Sequence, residues 1–415
     1  MIGKPIAFGR RSCSTPRSFH RSLGLRGVLS YLPLCFFAIV GYLLLERIRH
    51  QQRLKRIRIR IHVNGTRGKS SVTRLIAAAL RRSGIRTLAK TTGIDPQLVL
   101  PDGGKESIRR WAPANILEQL KVIRRADQLQ VDAVVIECMA LDPVLQFVSE
   151  TQLIQSTISV ITNVRPDHFE VMGEDLDQIA SALAQTIPVH GTLITADTAY
   201  FPFFASLART VQTDPVLADA EAICIPHAAQ DQLVFKENLA LARQVCTQLG
   251  LDPELVDCVL AEECSQAESS VVMRRSIDSG KVCFIDAFSA NDIESTRIIQ
   301  DWASARTHCP KPWVALYNNR DDRPLRMRSF AGFLGQASCY DYVSVVGDSL
   351  GLATRYFSES LPRNSVLPLR DRTPELIIAE LFKHLSCPEF TLIGMGNEKG
   401  LGQGVSRFFR GSVSA

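Results

Sequence analysis

Residues 62–71 read HVNGTRGKSS. An alternating stretch, RIRIRIHV at 56–63, precedes them, and VTRLIAAALRRSG at 72–84 follows. Alternation of apolar and polar residues predicts a strand, and the second stretch reads as a helix closed by Gly84. A Gly-rich turn between a strand and a helix N-terminus offers backbone amides and the positive end of a helix dipole to phosphate. The pattern is the short GTxGK[ST] form, because Val63 stands where a full GxxxxGK[ST] loop has its first glycine. Lys69 is placed to reach β- and γ-phosphates, and the Ser70 hydroxyl to ligate Mg²⁺. Gly65, Thr66, Arg67, Gly68, Lys69, Ser70 and Ser71 are therefore the predicted nucleotide-binding residues. The bland alternative, a turn with a solvated lysine, does not account for the strand and helix on either side.

Outward from this loop the chain alternates strands and helices. IRTLAK, VDAVVIECM, SVITNV and GTLITAD read as strands, and 115–129, 176–187 and 236–249 as helices. That order predicts a doubly wound parallel sheet. VDAVVIECM carries Glu137 at the carboxyl end of its strand, where an acid can hold Mg²⁺. SVITNV leads into RPDHFEVMG, which puts Asn163, Asp167 and His168 beyond the end of the next strand. A neutral histidine there can ligate a divalent ion or contact a developing acyl phosphate. From about Lys281 a second alternating run begins, with KVCFIDAF, PWVALYN, YDYVSVVG and FTLIGMG as strands. It predicts a smaller Rossmann-like α/β domain, with the boundary in the polar, irregular stretch 268–277.

The 415 residues carry 48 Lys/Arg and 42 Asp/Glu, a net charge of +6. That charge is local: residues 1–60 hold 13 basic residues and one acid, Glu46. The remainder is acidic on balance, which excludes a polycation built to coat nucleic acid. The 11 cysteines form no CxxC pair, which argues for reduced thiols and against zinc. Residues 27–45, GVLSYLPLCFFAIVGYLLL, contain no charge. About 20 such residues cross a bilayer core as a helix. The run is longer than the apolar core of a signal peptide and ends in a basic flank, LLLERIRHQQRLKRIRIR, so an uncleaved anchor is expected. The predicted organisation is a basic arm (1–26), a transmembrane helix (27–45), a basic linker (46–60), an ATP-binding domain (61–270) and a C-terminal α/β domain (271–415).

GTRGKSS, an acid closing the strand before CM, and TNVRPDH together resemble the ATP-dependent Mur ligase superfamily. NGTRGKSSVTRLI, KTTGIDP, ECMALDP, TNVRPDHFEVMG, AFSANDIEST, NNRDDRPLR and IGMGNEKG are similar, in order, to the ligase subunits of poly-γ-glutamate synthases. The resemblance covers nearly the whole chain from about Leu34. It implies ATP and Mg²⁺ as cofactors, and glutamate and a poly-γ-glutamate chain as substrates. It implies a carboxylate activated as an acyl phosphate and attacked by an amine. It also implies small integral-membrane synthase or export subunits as partners. ATP and glutamate are cytoplasmic pools, so the expected localisation is the cell membrane with the catalytic body in the cytoplasm. By the same resemblance Lys69, Glu137, His168 and Arg274 are catalytic, Ser70, Glu137 and His168 hold metal, and Asn238 and Asn291 lie near ATP. Arg320 and Arg323 suit a polycarboxylate, since guanidiniums pair bidentately with carboxylates.

Two departures narrow the substrate. Many Mur ligases carry a carbamylated lysine downstream of the histidine, and no lysine lies between Lys121 and Lys236. The chain also leaves no room before the phosphate loop for a domain that binds a nucleotide sugar. The competing readings are a folylpolyglutamate-synthetase-like or other Mur-type ligase, and a membrane-associated P-loop ATPase regulating export. An anchor disfavours the first. The second calls for an Asp-ended strand or a tyrosine-rich tail, and the tail RFFRGSVSA contains no tyrosine.

Overall fold

The computed structural model describes residues 25–93, 96–110, 114–225, 233–266, 271–277, 280–306, 308–361, 365–369 and 373–411. It divides into two compact units, Met1–Gln52 and Arg53–Ala415. Residues 1–24 of the predicted basic arm lie outside the described residues.

Helix α1 runs Leu25–Arg56 and contains the predicted span as continuous helix. In the first unit Leu34, Phe36, Phe37, Ile39 and Leu43 are all exposed. The side chains of 27–30 and 32 lie outside the described set. Among the described residues, no helix is long and apolar enough to cross a membrane. The membrane-crossing role expected for 27–45 is therefore not supported by the described helix, although its helicity is.

In the second unit, eight strands make the first sheet: β1 (Ile59–Asn64), β2 (Thr87–Lys90), β3 (Gln97–Val99), β4 (Lys105–Ser107), β5 (Ala133–Glu137), β6 (Ile158–Ile161), β7 (Thr192–Thr195) and β8 (Asp214–Leu217). Their order is β4-β3-β2-β5-β1-β6-β7-β8. All neighbours are parallel except the β2-β3-β4 ribbon. The strand predicted from Arg56 starts later, because α1 keeps Arg56 and Arg60 closes it. The Arg60 guanidinium donates to the carbonyls of Leu54 (3.0 Å), Ile57 (2.6 Å) and Gln155 (2.7 Å). A cation that satisfies terminal helix carbonyls stabilises a helix end. The connection from β1 runs to one side and β6 lies on the other, so the carboxyl end of β1 is a topological switch point, where ligands bind in such sheets.

The second sheet contains β9 (Val272–Ile277), β10 (Gly280–Asp286), β11 (Trp313–Asn319), β12 (Tyr342–Gly347), β13 (Val366–Pro368) and β14 (Glu389–Gly396). Its order is β13-β12-β11-β14-β10-β9, parallel except for β9. The stretch 272–277, read as irregular from its polarity, is thus an edge strand. Exposure of one face explains the arginines that masked its alternation.

One polar pair is buried behind the loop strand. His62 of β1 is fully buried, with Nδ1 2.8 Å from Glu150 Oε2. Glu150 sits in a single π-helical turn, Ser149–Ile154, and its other oxygen accepts from Ser156 N and Oγ. Burial alone would depress the imidazole pKa, but the Cys138 sulfur and the Glu150 carboxylate outweigh it and hold it up to about 9. A raised histidine stabilises fully below its unfolded pKa of about 6.5, and that contribution is lost as pH rises through about 9. Glu150→Gln is expected to cost about 3–5 kcal/mol at neutral pH, since it strands one member of a buried pair. It should also remove the loss of stability near pH 9. Denaturant titrations across pH check this, and an unchanged alkaline limb would remove His62 as its source.

Candidate active site

The loop between β1 and helix α2 (Lys69–Arg82) has the backbone its glycines permit. Gly65 has φ +123° and Gly68 φ +80°. A Cβ at Gly65 would collide with Thr162, and one at Gly68 with the Asn238 side chain. Asn238, near the start of helix Lys236–Gln248, is thereby placed against the loop. Asn163, just past β6, fixes the loop from outside. Its Oδ1 accepts from Thr66 Oγ1 at 2.7 Å and Arg67 N at 3.0 Å, and its Nδ2 donates to Arg67 O at 3.3 Å. The Thr66 hydroxyl is therefore engaged in holding the loop. Lys69 Nζ curls back to Gly65 O (2.6 Å) and Thr66 O (3.3 Å). Ser71 is exposed on the first turn of α2.

Glu137 closes β5 beside β1 and is 3% exposed. Its Oε2 accepts from Ser70 Oγ (2.8 Å) and Thr92 N (2.7 Å), and its Oε1 from Thr92 Oγ1 (2.6 Å). One carboxylate and two hydroxyls at a phosphate loop are hard oxygen donors that fit Mg²⁺. No group of three or more His, Cys, Asp or Glu side chains suited to a metal occurs among the described residues. Such an ion would complete its coordination with water and phosphate oxygens. Thr92 was not foreseen. Behind it Lys90 is fully buried, 3.4 Å from Glu118 Oε2. Burial lowers its pKa, opposed by Glu118.

His168 stands in the left-handed region, φ +49°. Its Nδ1 lies 3.0 Å from Arg323 Nη1, and its Nε2 lies 3.6 Å from Asp167 Oδ2. A guanidinium only donates, so Nδ1 accepts and the neutral ring carries its proton on Nε2. Burial lowers the His168 pKa to about 4, opposed by Asp167 and reinforced by Arg323, Lys69 and Arg326. In this arrangement Nδ1 is engaged by Arg323 and Nε2 faces Asp167. Asp167 also takes Arg67 (3.3 Å) and Arg326 (3.0 Å). Burial alone would raise its pKa, but these guanidiniums outweigh that and hold it below its usual range. Arg67 reaches on to Asp292 at 3.1 Å, and Arg326 to Asn291 (3.2 Å) and Asn397 (2.6 Å). Asn291, also left-handed at φ +59°, is thus brought to the same cluster. The cluster borders a cleft of about 250 Å³ between 166–170 and helices Ile293–Arg306 and Pro324–Gln336.

Two expectations fail on placement. Arg274 lies on edge strand β9 opposite Cys283 and donates to His308 O at 3.3 Å. His308 precedes β11, so Arg274 sits at the amino end of the parallel strands. Asn291 and Asn397, which meet Arg326, follow the carboxyl ends of β10 and β14. β9 enters beside the carboxyl end of β10, with Val272 opposite Ile285, but the Arg274 guanidinium reaches back to His308, away from the phosphate side. The neighbouring Arg275 is engaged with the Phe408 carbonyl and ring. Arg320 pairs locally with Asp322 at 2.7 Å and is not among the cleft residues. Arg323 is brought to the site. Arg326, three residues on across the helix start, is the residue NNRDDRPLR carried without being singled out.

His168→Ala is expected to slow turnover about 10²-fold, the range for losing one preorganised electrostatic contact, because Arg323 is no longer held in place. Nucleotide affinity should stay within twofold, since the ring faces Arg323 and Asp167. A depressed histidine stabilises above its unfolded pKa of about 6.5, and the contribution is lost as pH falls toward about 4. ADP release alongside binding of a fluorescent ATP analogue tests this, and equal losses in both would give His168 a loop-supporting role.

The described geometry can be set beside known proteins. Residues 63–218 match the family model of the Mur ligase middle domain, and residues 272–412 that of the poly-gamma-glutamate synthase CapB C-terminal domain. The chain is 30% identical over 381 residues to the capsule biosynthesis protein CapB of Bacillus anthracis, covering 91% of this chain and 82% of that one. It is also 30% identical over 361 residues to PGA synthase CapB of Bacillus subtilis (strain 168), covering 86% and 91%. In fold it is similar to the bifunctional folylpolyglutamate synthase/dihydrofolate synthase of Yersinia pestis, solved with AMPPNP and a manganese ion. The TM-score is 0.59 at 14% identity, with 86% of this chain and 91% of that one covered.

Proposed function

This chain belongs to the CapB family of poly-γ-glutamate synthases, built on the Mur ligase fold, and on that premise we propose how its own residues carry the reaction. It is an ATP-dependent amide ligase that joins glutamate through γ-carboxyl linkages. The observation that carries this reading is that the phosphate loop, Glu137 and His168 stand at the carboxyl ends of the neighbouring strands β1, β5 and β6, with Arg323 from beyond β11 on His168.

A carboxylate does not react with an amine until one oxygen becomes a leaving group. A γ-carboxylate oxygen of the chain end attacks the terminal phosphorus of ATP, and ADP departs. The incoming amine then attacks the acyl carbon, phosphate departs, and the ammonium proton is released. Lys69 leaves its two loop carbonyls and neutralises charge on the transferred phosphoryl group. A bound Mg²⁺, held by Ser70 and Glu137 with Thr92 beside them, supplies further charge neutralisation. His168 keeps Arg323 aimed at the developing acyl phosphate, and its neutral ring adds no competing charge. The Yersinia enzyme binds an ATP analogue with manganese, which supports ATP and a divalent metal here. Its likeness is one of fold and carries no folate substrate to this chain.

The test supplies ATP, Mg²⁺ and glutamate and identifies the nucleotide product. ADP plus phosphate is expected. AMP plus pyrophosphate would replace the acyl phosphate by an adenylate and overturn the mechanism.

The same reading keeps a catalytic domain over 61–270 and a second over 271–415, and it keeps the apolar run of α1 as a single-pass membrane anchor. What supports the anchor is 19 uncharged residues followed by a basic flank, with large apolar side chains exposed along the helix. Apolar surface of that extent in water needs cover. A basic flank suits anionic headgroups. The orientation that keeps ATP and the body together is N-out and C-in, with small integral-membrane subunits as partners. Deletion of residues 1–46 is expected to leave nucleotide binding unchanged and to end sustained polymerisation in cells. Wild-type polymer yield from the truncated protein would remove the anchor from the function.

A further inference from the structure

The cleft beside His168 is lined by three arginines, Arg297, Arg323 and Arg326. Two of them are engaged. Arg323 donates to His168, and Arg326 is fixed by Asp167, Asn291 and Asn397. The other arginines that meet at this cluster are engaged as well: Arg67 with Asp167 and Asp292, Arg165 with Ser295 and Glu294. Arg297 differs. It is exposed on helix Ile293–Arg306, and its guanidinium lies over the Phe333 ring, 4.9 Å from the centroid. Among the described residues it is in no ion pair. Stacking uses the face of a guanidinium and leaves the in-plane fork of N–H donors free, and that fork matches a carboxylate.

The reaction sets a selection problem that this geometry answers. The terminal residue of a γ-linked chain carries two carboxylates, α and γ, separated by two methylene groups and the α-carbon. Only the γ-carboxylate is to be activated. Resting on the ligase reading above, we propose that Arg297 holds the α-carboxylate of the terminal glutamyl residue in this cleft, so that the γ-carboxylate alone reaches the phosphate loop. Arg297 is a specificity-determining residue and takes no part in bond formation. Contact with the Phe333 ring limits where the guanidinium moves, which lowers the entropy lost on binding. Glu170 and Glu294 line the same cleft and disfavour a second carboxylate on their side.

The experiment uses donors whose nitrogen is acylated, as it is in the polymer. N-Acetylglutamate keeps both carboxylates; 4-acetamidobutanoate keeps only the one equivalent to γ. Each is supplied with ATP, Mg²⁺ and hydroxylamine, which traps the acyl phosphate as a hydroxamate. The full-length wild-type protein is expected to prefer N-acetylglutamate and to give only the γ-hydroxamate. Arg297→Ala is expected to reduce that preference about tenfold or more, the loss of a paired carboxylate in a partly exposed site. The α-hydroxamate should then become detectable. Arg297→Lys should fall between, because a point charge replaces a fork. Binding of a fluorescent ATP analogue within twofold of wild type shows that the variants are folded. An unchanged preference with γ-only product in a folded Arg297→Ala protein overturns the assignment and leaves the ligase reading intact. A wild-type protein that forms neither ADP nor hydroxamate overturns both.

Discussion

Lys69→Ala is expected to reduce polymer synthesis by about 10³-fold or more, because the transferred phosphoryl group loses a main counter-charge in a preorganised site. The fold should survive the change. Lys69 donates only to Gly65 O and Thr66 O in its own loop. The loop itself is fixed independently, by Asn163 on Thr66 and Arg67 and by the close approach of Gly68 to Asn238. Removing a loop cation of this kind typically changes stability by less than about 1 kcal/mol. Thermal unfolding within a few degrees of wild type, with synthesis gone, is the expected pair of results. Near-normal synthesis would show that the phosphate is bound elsewhere. Lys69→Arg separates charge from reach: the guanidinium keeps the charge but cannot follow the tight turn back to Gly65. It should recover little activity.

What sequence made legible divides along a physical line. The loop was readable because its chemistry is local: φ above zero at Gly65 and Gly68, a lysine and a hydroxyl at fixed offsets, a strand before and a helix after. Glu137 and His168 were readable because parallel strands in a doubly wound sheet all end on one side. Arg274 was misread for the same reason inverted. β9 runs antiparallel, so position along the chain no longer tells which end of the sheet a residue faces. Nothing in VVMRR marks that reversal. The partner of His168 was not readable: Nδ1 meets Arg323, 155 residues away, and no spacing encodes that contact. Arg326, Thr92 and Arg297 act through tertiary partners and carry no local signature. For Arg326 a signal existed in retrospect, since Arg323 and Arg326 flank a helix start at a spacing that puts both on one side. The strands β3, β4 and β13 were missed because three residues show no periodicity, and β8 because DPVL is a partly exposed edge strand with a proline.

Glu137→Gln isolates what the charge of this carboxylate contributes. In the wild type three donors converge on it: Ser70 Oγ and Thr92 N on Oε2, Thr92 Oγ1 on Oε1. A glutamine can satisfy nearly all of this. Its carbonyl oxygen takes the Oε2 position and accepts from Ser70 and Thr92 N. Its amide nitrogen takes the Oε1 position and donates to the Thr92 hydroxyl, which can accept as well as donate. Stability should therefore fall by no more than about 1 kcal/mol, the net worth of an adjusted hydrogen bond. Glu137→Ala is harsher, because it leaves the Thr92 amide without an acceptor at a cost of about 1–3 kcal/mol. What glutamine cannot supply is a negative oxygen for a hard divalent cation. Turnover is expected to drop about 10²–10³-fold, the scale for losing one preorganised electrostatic contact to a transition state. The Mg²⁺ concentration giving half-maximal rate should rise, while the nucleotide analogue still binds through the loop. A raised Mg²⁺ requirement with nearly normal stability assigns Glu137 to the metal. Unchanged Mg²⁺ dependence and normal turnover would make it a structural anchor for the Thr91–Thr92 turn, and Ser70 would then need another partner.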